Sequence, residues 1–124
     1  MKGASENKLK GIANCNTVKK ARLWLEEHGI AAEFHDFKKL GLDRSIALNW
    51  LKQTDWTGLI NRSGLTWRGL PEKRKQSIHD STSALALMME KTSVIKRPVL
   101  ERNGKLLHVG FDEAAYANIF NLHS

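Results

Sequence analysis

The alternation of apolar and polar positions divides the chain into two ends of mixed strand and helix around a middle of purely helical period. Near the start, Lys8-Leu-Lys-Gly-Ile12 reads as a short strand. From Thr17 to His28 the period becomes helical, with Val18, Ala21, Trp24, Leu25 and His28 on one face at three- and four-residue spacing. Gly29 supplies a residue suited to the position just past a helix end, and Arg22 and Glu26 form an i,i+4 charge pair on the outer face. Ala32-Glu-Phe-His-Asp-Phe37 then reads as a second strand, bounded by Lys38-Lys39 and Gly41.

Between Gly41 and Lys91 no segment has the pattern of a strand. Asp43 is placed to N-cap a helix running to about Gln53, with Ile46, Leu48, Trp50 and Leu51 as its apolar content. A loop holding Asn61-Arg-Ser-Gly64 follows, and Pro71 opens a short basic helix at its first position. Ser81 to Lys91 is a strongly apolar helix, expected to be buried. Strands return as Val94-Ile95 and as Pro98-Val-Leu-Glu101, the latter turning at Asn103-Gly104 into Lys105-Leu-Leu-His-Val109. Asn-Gly between two apolar runs is a strong hairpin signal, because both turn residues must accept positive φ. Asp112 caps a last helix through about Leu122, with Ala115, Tyr116, Ile119 and Phe120 inward. The order β-α-β, helical block, β-β-α predicts an α/β fold. It consists of a mixed four-stranded sheet flanked by helices, with an all-helical insertion. We expect one domain over 1–124, with 8–38 and 92–124 as the core and 39–91 as the insertion.

Composition changes this picture little. At 124 residues, with 41% hydrophobic and 27% charged, the chain fits one globular domain with a single core. No apolar run approaches the ~20 residues needed to cross a bilayer. Met1-Lys-Gly-Ala-Ser-Glu-Asn7 lacks an apolar stretch, so it is not read as a secretory signal and is left out of the fold reasoning. A net charge of +7 suits an anionic small molecule, an acidic protein surface or nucleic acid. The cations are scattered (Lys8, Lys10, Lys19, Lys20, Lys73, Arg74, Lys75, Lys96, Arg97) without interleaved aromatics, which disfavours nucleic acid. A single cysteine cannot form an internal disulfide, and a free thiol points to a reducing, cytoplasmic setting.

Five histidines without metal-ligand spacing and one cysteine argue against a metal site. No glycine-rich phosphate loop is present, so no bound cofactor is expected. His35-Asp36 and His79-Asp80 read as surface pairs. Trp24, Trp50, Trp56 and Trp67 read as packing anchors, with Trp67-Arg68 the one pair that also has the makings of a binding feature. Cys15 is different. It stands between Asn14 and Asn16 at a strand-to-helix turn, where unpaired N–H groups and a partial positive charge favour thiolate over thiol. Lys19, one turn on, adds positive charge to the same end. The thiolate is the nucleophile, so this placement makes a reactive cysteine. A buried structural cysteine is the competing reading.

Gly11-Ile-Ala-Asn-Cys-Asn-Thr-Val-Lys-Lys-Ala-Arg-Leu-Trp-Leu-Glu-Glu-His-Gly29 closely resembles the opening of the arsenate reductase/Spx/YffB family. Ile95-Lys-Arg-Pro-Val99 and Val109-Gly-Phe111 resemble its later signatures, in the same order and spacing, and the likeness covers nearly the whole chain from Leu9. His35-Asp36 and Thr66-Trp-Arg68 resemble the YffB-like branch. The resemblance implies a thioredoxin fold with a helical insertion and a redox or thiol-transfer role for Cys15. It also implies that Pro98 is a cis-proline beside the thiol and that Arg97 is aimed at it. A guanidinium there can hold an oxyanion or a glutathione carboxylate by paired hydrogen bonds.

Glutaredoxin-coupled arsenate reductases surround the cysteine with three arginines, and only Arg97 carries over cleanly. Arg62 falls one residue early against the Asn-Thr-Arg-Gly of related chains, and Val109 stands where the reductases carry arginine. Three cations suit multiply charged arsenate, whereas one or two suit glutathione or a thiol substrate. Val18 lies three residues after Cys15, so no Cys-x-x-Cys switch exists, and an outside thiol must resolve any intermediate. The resemblance therefore implies a glutathione-dependent monothiol reductase with glutathione as co-substrate and glutaredoxin as a possible partner. Asn14, Thr17 and Lys19 would support the thiolate, while Arg62, Arg97 and Pro98 would face the substrate. The alternatives are an arsenate reductase proper and a non-enzymatic Spx-like regulator docking on RNA polymerase or another acidic protein surface. A nucleic-acid binder rests on charge alone.

Overall fold

Leu9, at the centre of the first strand, pairs with Leu100 on an antiparallel neighbour, and both are almost wholly buried. They anchor the sheet in a computed structural model of the protein, which describes residues 6–122. The elements run β1 (Asn7–Gly11), α1 (Asn16–Glu27), β2 (Glu33–Asp36), α2 (Phe37–Leu40), α3 (Arg44–Gln53), α4 (Leu65–Arg68), α5 (Glu72–Gln76), α6 (Ser81–Glu90), β3 (Val99–Arg102), β4 (Lys105–Val109) and α7 (Glu113–Ile119). Single 3-10 turns lie at Trp56–Gly58 and Thr92–Val94. The chain divides into two compact units: residues up to Leu40 together with those from Arg97 on, and Gly41–Lys96.

The first unit holds the sheet, in the order β2-β1-β3-β4. β1 runs parallel to β2, and the other pairs are antiparallel, so the sheet is mixed as the element order predicts. The parallel pair needs a crossover, which α1 supplies. Its inward face is Val18, Ala21, Trp24 and Leu25. Ala21, Trp24 and Leu25 share one core with Leu9, Leu100 and Tyr116. Tyr116, from α7, meets Trp24 and Phe111 edge-on at 5.6 and 4.8 Å between ring centres, an arrangement that suits the aromatic quadrupoles. By strand alternation Lys10 and Glu101 face away from this core; both are buried, and they approach to 3.7 Å, so each charge has a partner. Asn103 and Gly104 turn β3 into β4 with φ of 50° and 83°, the left-handed pair that the hairpin requires. The last helix ends at Ile119, short of Leu122, because Asn121 adopts φ 57° and leaves helical geometry.

The second unit is built from α3 to α6, with α3 packed on α6. Ala47, Trp50, Leu87 and Met88 are wholly buried there. Two expectations are corrected in this unit. Val94-Ile95 is not a strand: the amides of Val94 and Ile95 donate to the Lys91 and Thr92 carbonyls at 3.0 and 3.1 Å, which winds the segment into a 3-10 turn. Ile95 then makes a single isolated bridge to Ile60. Pro71 is the N-cap of α5 rather than its first helical residue; its backbone is extended (ψ 148°), and its carbonyl accepts from Arg74 and Lys75.

Candidate active site around Cys15

The site begins where β1 leaves the sheet. A Cβ on Gly11 would stand 2.9 Å from Val18 Cγ2 and 3.7 Å from Pro98 Cα, so only glycine lets the strand end, the first turn of α1 and the Arg97–Pro98 turn approach this closely. Two residues later the Ala13 N–H donates to Asp36 Oδ2 at 3.1 Å. Cys15 follows as the N-cap of α1, with extended backbone (φ −129°, ψ 125°) and its carbonyl accepting from the Lys19 N–H at 2.9 Å. No side chain closes this helix terminus with a capping bond.

Cys15 is half-buried. Burial alone would push its thiol up, but the Val18 N–H, a hydrogen bond from Arg97, the Arg97 charge and the Thr17 N–H outweigh that, and the thiol lies below its ordinary range. All four are interactions that favour the charged form. Arg97 is held by the turn it opens. The Arg97–Pro98 peptide is cis, and the Pro98 carbonyl accepts from the Gly110 N–H at 2.8 Å. Gly110 takes φ 87° there, a conformation open to glycine.

Cys15, Thr17, Arg97 and Pro98 are thus gathered within the first unit, Thr17 contributing its backbone N–H rather than its side chain. Asn14 is an exposed residue of the approaching turn. Lys19 is exposed and lines an open depression of about 550 Å³ along α1 and β2, with Arg22, Leu23, Ile30 and Phe34 among its neighbours. Arg22 lies over the Phe34 ring at 4.1 Å. Arg62 belongs to the second unit, where its guanidinium stands 5.7 Å from the Trp56 ring centre and acts on the Asp55 carboxylate.

Asp36 overturns its reading as a surface residue. It is only 8% exposed, and besides Ala13 its carboxylate accepts the Lys38 and Lys39 amides at 2.9 and 3.2 Å. Burial would raise its pKa, but the three amides and the Lys39 charge hold the carboxyl below the usual range. A signal was present in the sequence, an Asx residue directly before the short Phe37–Leu40 turn of helix, which is where such a side chain caps backbone donors. His35 is half-buried, whereas His79 is exposed, 3.6 Å from Asp80. Among the described residues no cluster of three or more His, Cys, Asp or Glu is placed to hold a metal ion, and no helix is long and apolar enough to cross a membrane.

Chemically, a thiolate stabilised by two backbone N–H groups and a guanidinium is a nucleophile with anion-binding donors beside it. The model of the ArsC family matches residues 11–119. A protein of Haemophilus influenzae is 42% identical over 110 residues, covering 89% of this chain and 95% of its own. The solved structure of a YffB protein, 44% identical, superposes with a TM-score of 0.85 over 91% of this chain and 97% of that one. An arsenate reductase related protein from Brucella melitensis, 48% identical, covers 98% of this chain and 100% of its own with a TM-score of 0.76. The mixed sheet with flanking helices is the thioredoxin-like fold of these relatives.

Proposed function

Because this chain belongs to the ArsC family of arsenate reductase-like proteins, we propose that it is a monothiol oxidoreductase that works with glutathione, Cys15 being its nucleophile. The observation that carries this reading is the placement of Cys15 at the start of α1, where the Val18 and Thr17 amides and Arg97 hold its thiol below the ordinary range. In the first step the Cys15 thiolate attacks the glutathione sulfur of a substrate–glutathione mixed disulfide, forming a Cys15–glutathione S–S bond as the substrate–glutathione S–S bond breaks and the substrate leaves as its thiolate. In the second, a glutathione thiolate attacks the Cys15 adduct, releasing oxidised glutathione and restoring the Cys15 thiolate. One glutathione is consumed per turnover, and it leaves joined to the glutathionyl group that the substrate carried, while the substrate sulfur is reduced to its thiol. An outside thiol is required because Val18, and not a second cysteine, stands three residues on.

Arg97 supplies one cation for the anionic part of the substrate, and Val109 leaves the place of a further arginine apolar. A single guanidinium suits a glutathione carboxylate better than multiply charged arsenate. Glutaredoxin is the natural protein partner for such a cycle, and a reducing compartment is its setting. Intact-mass analysis after exposure to oxidised glutathione tests the reading, with arsenate reduction assayed in parallel. The expected result is one glutathione adduct, lost in Cys15→Ser, without arsenate turnover. Absence of the adduct contradicts the monothiol cycle, and sustained arsenate turnover would assign the chain as an arsenate reductase proper.

A further inference from the structure

We infer that Asp36 is a positioning residue for Cys15: through the Ala13 amide, its buried carboxylate holds the turn that delivers the thiol to the start of α1 and to Arg97. The inference rests on the reading of Cys15 as the working nucleophile.

Strand register brings Asp36 to the site. β1 and β2 are parallel, and Gly11 pairs with Asp36, so the two strands end side by side. From there one chain continues through Ala13 to Cys15 and the other into α2. The Asp36 carboxylate sits at this fork. Oδ2 takes the Ala13 amide of the first branch at 3.1 Å, while Oδ1 takes the Lys38 and Lys39 amides of the second at 2.9 and 3.2 Å. Each donor is a backbone group, so the bonds fix the path of the main chain and not merely a side-chain rotamer. Three converging donors call for a group that only accepts; a carboxylate does, whereas an amide must turn an NH2 toward one of them.

Between Gly11 and Cys15 the turn is only three residues long, and its ends are already constrained. Gly11 is wedged against Val18 and Pro98, and the Cys15 carbonyl is bonded to Lys19. The Ala13–Asp36 bond restrains the middle. Stabilisation of the thiolate by the Val18 amide and Arg97 depends on distance and direction, so loosening this bond misplaces the sulfur.

The sign of the effect separates positioning from bulk electrostatics. If Asp36 acted on Cys15 only as a nearby negative charge, removing that charge would favour the thiolate and speed its reactions. Positioning predicts the opposite. The experiment measures Cys15 alkylation against pH in the unsubstituted protein, in Asp36→Asn, and in Ile119→Ala as a destabilised control on the core side of α7. The expected result is a raised apparent thiol pKa in Asp36→Asn and alkylation at neutral pH slowed roughly 3- to 10-fold, the scale of one lost hydrogen bond, with no change in Ile119→Ala. An unchanged or faster Asp36→Asn overturns the inference. Should Asp36→Asn fail to fold, amide exchange in the unsubstituted protein decides: Ala13 is expected to be protected, and exchange as fast as that of an open chain overturns the assignment. A thiol of ordinary pKa in the unsubstituted protein removes the functional reading and this inference with it. A lowered pKa that Asp36→Asn leaves unchanged removes this inference alone.

Discussion

The helices α1 and α6 are of similar length, 12 and 10 residues, and both begin with backbone donors that need partners. At α6 side chains meet part of the need. Asp80 accepts the Ser83 amide at 2.8 Å, and the Ser83 hydroxyl accepts the Asp80 amide in return at 3.2 Å, a reciprocal capping box. At α1 the corresponding position is Cys15, flanked by asparagines, and no side chain closes the terminus. A capping oxygen typically contributes about 1 kcal/mol. α1 forgoes it, and its amides at Thr17 and Val18 favour the Cys15 thiolate instead. Under the proposed function, the contrast is between a helix start that serves folding and one that serves chemistry.

Replacing the thiol gives the largest effect. Cys15→Ser abolishes alkylation and mixed-disulfide formation, yet as a better N-cap it leaves stability equal or higher by up to ~1 kcal/mol, as thermal unfolding will report. It also removes a pH dependence. The folded-state thiol pKa lies below its unfolded value, so between the two the unfolded chain binds more protons and stability rises with pH. That gain is complete above an unfolded pKa of ~8.5 and is lost as pH falls through the folded value. Unfolding of the two proteins at pH 6 and pH 9 shows whether the slope belongs to Cys15.

Arg97→Ala comes next. Removing one charge-assisted hydrogen bond and its charge is expected to slow alkylation at neutral pH about tenfold. An unchanged rate would leave the amides as the whole cause of activation. Gly11→Ala acts on the scaffold: the new Cβ meets Val18, itself wholly buried, and overpacking of this kind costs about 1–3 kcal/mol, measurable by denaturant unfolding. The smallest effect at the thiol belongs to the other helix. Asp80→Ala lowers the melting temperature and leaves the Cys15 pKa where it was. If the thiol responded to Asp80, the division of labour between the two helix starts would be wrong.

Much of this arrangement was legible in the sequence, for stated reasons. The hairpin announced itself because Asn103-Gly104 is a pair that accepts positive φ twice in succession. α1 announced itself through Val18, Ala21, Trp24 and Leu25, which recur at helical spacing and are buried together. The short pieces were not legible. α2 and α4 are four residues each, too short for any periodicity. Val94-Ile95 has strand-forming side chains, but its amides are used locally, which no pattern of side chains records. The Ala13–Asp36 bond is illegible for a related reason: the Asx position before α2 is written locally, but the parallel register that sets Asp36 beside Gly11 is a long-range fact. The place of Cys15 at the start of α1 is legible because a strand end followed by a helix start is written locally.

The most direct measurement is the apparent pKa of Cys15, taken from the pH dependence of its alkylation rate in the unsubstituted protein. A start of α1 that favours the thiolate predicts a value clearly below the ~8.5 of an ordinary cysteine. A value at or above that figure would contradict it and return Cys15 to the role of a packing residue.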